Sequence, residues 1–117
     1  FNISKEREEL SGMGTTVVAA TIVDHMMYVA NVGDSRLYYV KDNNLIQLTQ
    51  DHSLVEEMVK RGEITHSDAR MHPNKNIITR ALGSSDKVVV DFFEICRKMS
   101  LIVETTVYGN LMNWHIC

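Results

Sequence analysis

Five consecutive residues, Val32-Gly33-Asp34-Ser35-Arg36, set a glycine, a carboxylate, a hydroxyl and a guanidinium in a row between two apolar, strand-like runs. Gly33 allows backbone torsions that a side chain forbids. Asp34 can bind a hard cation through oxygen, and Arg36 can grip a carboxylate or phosphate in a bidentate fork. The pentapeptide reads as a site at a strand end. From spacing alone, Asp34 better suits a turn residue that hydrogen-bonds nearby backbone. Arg36 suits a loop clamp on a neighbouring carboxylate, worth ~0–1 kcal/mol where exposed. Ser35 is not read as a nucleophile, because no base follows it at a recognisable spacing.

Other polar clusters carry less. Gly12-Met13-Gly14-Thr15-Thr16 lacks the Gly-Lys-Ser/Thr ending of a phosphate loop and leads into a strand, so it reads as a helix-to-strand joint. Asp51, His52 and Ser53 are adjacent and cannot present nucleophile, base and orienter to one another as a hydrolytic triad requires. That segment reads as a helix entrance with Ser53 as its cap. His66 and His72 lie six apart, share no helical face and are followed by Pro73, so His66, Asp68 and His72 are not read as a metal cluster.

The elements that must position these residues follow from patterning. Ser4 to Leu10 suits the exposed end of a helix, broken by Gly12 and Gly14. Thr15 to Val23 is β-branched or apolar at nearly every position and reads as a strand buried on both faces, with Asp24-His25 as a turn and Met26 to Val32 running back. Leu37 to Val40 and Leu45 to Leu48 are third and fourth strands around the turn signal Asp42-Asn43-Asn44. The pattern predicts one antiparallel meander of locally connected strands. Ser53 with Glu56 predicts a capped helix whose apolar face is Leu54, Val55, Met58 and Val59, stopped by Gly62. Thr65 with Asp68 repeats the cap more weakly, Pro73 ends that helix, and Val88 to Ile95 reads as a further strand.

A chain of 117 residues with 44% apolar content makes one small domain with a single core, burying ~60–65% of its unfolded surface. Its net charge of −3, with signs interspersed, argues against a nucleic-acid footprint or a membrane-binding basic patch. No apolar run is long enough to span a membrane and the start lacks a signal-peptide pattern, so a soluble, cytoplasmic chain is expected. Cys96 and Cys117 are expected to be free thiols. The chain opens on Phe1 without an initiator Met and is expected to be a piece of something longer.

In their order and separation, Gly12 to Thr16, Val32 to Arg36, Leu48 to Ser53, Ile64-Thr65-His66 and His72-Pro73-Asn74 through Thr79 to Gly83 resemble the middle of a PPM-type (type 2C) metal-dependent serine/threonine protein phosphatase of bacterial type. The likeness covers roughly Leu10 to Ile95. It implies an α+β fold, part of the family's α/β/β/α sandwich, with residues 1–95 as the central part of the domain and 51–83 as a helical flap subdomain. It implies that Asp34 lies beside a dinuclear Mg²⁺ or Mn²⁺ centre and helps to hold a third, weaker ion. It also implies that the flap contacts phosphoprotein substrate, with His66 and Arg80 as the candidates, and that the opposing enzyme is a serine/threonine kinase.

Two cations need several carboxylates. The family takes them from an Asp near its N-terminus, an Asp-Gly-x-Gly-Gly segment, an Asp-Gly-Leu segment after the flap and an Asp-Asn pair near its end; none is present here. The family's phosphate-binding Arg and general-acid His are likewise outside this sequence. The resemblance therefore implies a chain that is inactive alone, with sheet edges left open to self-association. A non-catalytic module that binds a phosphoprotein or regulatory partner is the alternative. Residues 96–117 match nothing in the family. Read one frame over, Glu104 through Asn110 can encode Asn-Asp-Gly-Leu-Trp-Glu, so a frameshift and a divergent tail are the two readings of that segment.

Overall fold

The computed structural model describes residues 2–96, 100–107 and 110–116. Helix α1 (Asn2–Glu6) and a single 3-10 turn (Glu8–Leu10) end at Gly12, whose φ of +77° is open to glycine. Strands β1 (Val17–Val23) and β2 (Met26–Val32) form a hairpin closed through Asp24, and β3 (Arg36–Lys41) and β4 (Asn44–Gln47) form a second. Asp42 and Asn43 sit at φ of 51° and 60°, the pair of left-handed residues that a two-residue hairpin turn requires and that Asp and Asn tolerate.

The expected single meander is not what forms. The two hairpins belong to different sheets, ordered β1-β2-β5 and β4-β3-β6-β7, with β5 (Asp91–Cys96), β6 (Ser100–Val107) and β7 (Asn110–Ile116) all antiparallel to their neighbours. Between β2 and β3 the chain turns at Gly33 (φ +107°) and leaves one sheet for the other. Nor is pairing only local, because β2 takes β5 as its second neighbour, with Val29 opposite Phe93 and Asn31 opposite Asp91. The last predicted strand starts at Asp91 rather than Val88.

Met27 and Val29 of β2 and Leu37 of β3 are buried together, and Val18, Leu48, Phe93 and Ile95 pack around them. The core thus lies between the two sheets, the two β layers of an α+β fold. Burying each such side chain fully contributes about 2 kcal/mol. Helix α2 (Leu54–Lys60) starts at Ser53, whose Oγ accepts the Glu56 N–H at 3.3 Å, and stops before Gly62 at φ +73°. Helix α3 (His66–Met71) carries the fuller cap: Thr65 Oγ1 accepts the Asp68 N–H at 3.1 Å, and Asp68 Oδ2 accepts the Thr65 N–H at 3.0 Å. The bridge Thr15–Leu82 ties the 51–83 segment to the body, and the bridge Ser53–Ile78 closes that segment on itself.

Among the described residues no helix is long and apolar enough to cross a membrane. Cys96 is an exposed free thiol. Cys117 lies outside the described residues, as do Tyr108 and Gly109 of the Glu104–Asn110 segment.

Candidate functional site

The strand-end pentapeptide is held from three directions. Gly33 donates its N–H to His52 Nδ1 at 2.9 Å and accepts the His52 N–H on its carbonyl at 2.9 Å. His52 is 4% exposed, and its Nε2 lies 2.8 Å from Asp91 Oδ2 at the start of β5. Since Nδ1 accepts, the ring proton must sit on Nε2 and point at the carboxylate. Arg80 Nη1 donates to Asp91 Oδ1 at 2.9 Å, and its 3.2 Å approach to Nε2 then sets two donors side by side, both served by Asp91. The His52 bond foremost, and the Arg80 bond after it, hold the Asp91 carboxyl below the usual carboxylate range, against some desolvation.

Ser35 is buried, with its Oγ 2.6 Å from Thr16 Oγ1, which pins the pentapeptide to the entrance of β1. Gly33 has no room for a side chain there: a Cβ would stand 2.5 Å from Thr16 Cβ and 3.1 Å from its Cα.

Arg36 forks onto Asp51. Nε lies 2.9 and 3.0 Å from the two carboxylate oxygens and Nη2 lies 2.5 Å from Oδ2, while Nη1 donates to the Tyr38 hydroxyl at 3.2 Å. The Asp51 bond raises the guanidinium pKa further, so Arg36 is a permanent cation. Gln47 Nε2 adds a bond to Asp51 Oδ1 at 2.9 Å. The expected clamp is therefore present, and its carboxylate is mostly covered.

Asp34, free of that clamp, faces a cavity of about 580 Å³. Asp34, Arg36 and Asp51 form one wall, and His66, Arg70 and Lys75 contribute from α3 and the turn after it. Burial is the largest influence on Asp34 and raises its pKa; its own backbone N–H pulls down, Asp51 pushes up and Arg36 pulls down. A desolvated carboxyl aimed into a polar cavity suits a cation or a proton.

Of the three residues singled out from sequence, the structure brings Asp34 and His66 to this cavity, whereas Arg80 does not line it and is engaged by Asp91. Among the described residues no three His, Cys, Asp or Glu side chains converge on a point that could hold a metal ion. Those residues alone do not fit a dinuclear cation centre. Sequence reasoning missed His52 and Asp91 as the positioning pair, and Arg70 and Lys75 as cavity cations. The adjacency of His52 to a predicted cap offered the only hint.

The comparisons with known proteins run in one direction. The family model described as protein phosphatase 2C matches residues 2–86. A serine/threonine phosphatase stp of Listeria welshimeri is 54% identical over 87 residues, which are 74% of this chain and 34% of that protein. The crystal structure of the serine/threonine phosphatase Stp1 from Staphylococcus aureus superposes with a TM-score of 0.85 at 36% identity, covering 90% of this chain and 42% of that one. The catalytic domain of the serine threonine protein phosphatase PstP, solved in complex with two manganese ions, aligns with a TM-score of 0.70 at 27% identity over 89% of this chain and 43% of its own. The chain spans about a third of the length of the curated relatives it matches.

Proposed function

The chain belongs to the protein phosphatase 2C family, and from that premise we propose that it supplies one wall of a serine/threonine phosphoprotein phosphatase. In this reading Asp34 is the carboxylate of a third, weaker Mg²⁺ or Mn²⁺ position. The ligands of the two principal ions come from carboxylates outside these 117 residues. The 51–83 segment is the flap that meets the phosphoprotein, and a serine/threonine kinase in the same cytoplasm supplies the substrate.

The observation that carries this reading is Asp34 itself. It is partly buried, left out of the Arg36–Asp51 clamp, and lines a polar cavity that Arg70, Lys75 and Glu56 also line. His66 lines that cavity and is the flap residue best placed for substrate; Arg80 acts instead through Asp91. Bound cations would supply water activation and charge neutralisation. This chain's own part is to hold the Asp34 carboxylate in place and to present cations to an anionic peptide.

Because the described residues do not group three metal ligands, binding of a phosphoprotein without turnover is the second reading. Mn²⁺-dependent hydrolysis of a phosphothreonine peptide separates the two, run on this chain and on a chain extended to the length of its relatives. The expected result is turnover by the extended chain alone. Turnover by the 117-residue chain would overturn the account of the site, and binding without turnover by both would favour the second reading.

A further inference from the structure

His52 stands where both ends of the 51–83 segment meet the body of the chain. Its backbone carbonyl accepts the Thr79 N–H at 2.8 Å, its N–H donates to the Gly33 carbonyl at 2.9 Å, and its ring reaches Gly33 and Asp91. Arg80, the residue after Thr79, donates to the same Asp91 carboxylate. One residue therefore joins the start of that segment to its end, to the first residue of β5 and to the turn that carries Asp34.

Only one of these bonds depends on a lone pair that a proton can take. The Gly33 N–H is received by Nδ1, which accepts only while the ring is neutral and its proton sits on Nε2. A second proton, drawn from solvent, fills that lone pair and makes both ring nitrogens donors. Turning the ring over then offers no remedy, because neither edge retains an acceptor. The buried Gly33 N–H and the new Nδ1–H face each other as two donors, while the Nε2 bond to Asp91 becomes charge-assisted and tightens.

The charged groups around the ring make that state attainable inside the fold. A buried imidazolium needs a counter-charge, and Asp91 of β5 supplies it at Nε2. The Asp91 carboxyl is held below the usual carboxylate range and so stays ionised wherever a histidine titrates. Arg80, 3.2 Å from Nε2, opposes the second charge, as does burial of the ring. Asp51, beside His52 in the chain, is committed to Arg36, and Asp34, beside Gly33, lines the cavity.

We propose that His52 is a proton-operated latch on the turn that carries Asp34: neutral, it holds Gly33 against the base of the 51–83 segment; protonated, it keeps Asp91 and releases the Gly33 N–H. The turn is still tied through the Gly33 carbonyl and the Ser35 hydroxyl, so it loosens without unfolding. The effect of that loosening on a cation at Asp34 rests on the phosphatase reading; the latch itself does not.

Nuclear magnetic resonance on the isotope-labelled 117-residue chain, taken from about pH 8 down to about pH 5, tests it. The ring nitrogens of His52 report its charge, and the Gly33 amide reports the bond. As Nδ1 takes its proton, the Gly33 amide is expected to lose its hydrogen-bonded chemical shift and its coupling to Nδ1, while amides in the middle of β2 and β3 keep their positions. Asp91→Asn should move that transition to lower pH, since it removes the counter-charge. His52→Asn, whose side-chain oxygen accepts a bond but does not titrate, should abolish it. A Gly33 amide unchanged when His52 is charged, a His52 that stays neutral until the whole chain unfolds, or the same Gly33 transition in His52→Asn would each overturn the latch. None of these readouts involves turnover, so the latch can fail while the phosphatase reading stands, and the reverse.

Discussion

His52 and Gly33 hold each other twice, N–H to ring nitrogen in one direction and N–H to carbonyl in the other, both at 2.9 Å. This reciprocal contact fixes where the chain turns between the sheets, and through that turn it fixes Asp34. Asp91 completes it by fixing the tautomer that leaves His52 Nδ1 free to accept.

Replacing His52 with alanine should cost about 3 kcal/mol, because it strands the Gly33 N–H in a buried site and removes a partner from Asp91. An asparagine can return an acceptor near the Nδ1 position but cannot reach Asp91, so His52→Asn should recover roughly half of the loss. Urea unfolding of the three proteins measures this; equal destabilisation in both variants would mean that the ring's volume matters and its acceptor does not.

Gly33→Ala should be at least as damaging, at about 3 kcal/mol or more. The new methyl group meets Thr16 in a backbone conformation at φ +107° that alanine rarely adopts. A Thr16→Gly background should relieve the clash and leave the conformational part, so thermal unfolding of the double variant separates the two costs.

Arg36→Lys should lose the fork on Asp51 while keeping the charge. With Arg36 43% exposed and Asp51 11% exposed at the side chain, the expected cost is about 1 kcal/mol after solvent screening. Arg36→Ala should cost more, since it leaves a largely covered carboxylate. Chemical denaturation of the two variants side by side checks the order.

Two of the perturbed carboxyls, Asp34 and Asp91, should act on stability in opposite senses with pH. Asp91 has a folded pKa below its unfolded one, so its contribution is present above the unfolded value of about 3.9 and is lost as pH falls through the folded value. Asp34 has a folded pKa above its unfolded one, so stability falls as pH rises through that interval and stays lower beyond it. At neutral pH, Asp91→Asn should therefore destabilise by no more than about 1 kcal/mol, and Asp34→Asn should stabilise by roughly 0.5 kcal/mol. Melting curves from pH 3 to pH 7 should show the Asp91→Asn difference closing toward acid and the Asp34→Asn gain appearing only above the carboxylate range.

What was legible in the sequence was local. The Asp42-Asn43 turn and the Ser53 and Gly62 helix ends each depend on neighbouring residues, and each is found. The division into two sheets was not legible, because apolar alternation says that a strand is buried without saying which strand lies beside it. The relative strength of the two caps was misjudged because Glu56, the expected reciprocal partner, lines the cavity, whereas the shorter Asp68 reaches back to the Thr65 N–H. His52 was read by its adjacency to a cap, but its partners lie 19 and 39 residues away.

The crossing between sheets at Gly33 to Ser35 gives Asp34 a thermodynamic reach beyond its own contacts. Two residues after the last strand residue of one sheet and two before the first of the other, it is the place where a bound ligand would add protection to both hairpins at once. Amide hydrogen exchange in β2 and β3 should then slow together on ligation, making the two sheets report as one cooperative unit what their separate strand orders would otherwise let them report apart.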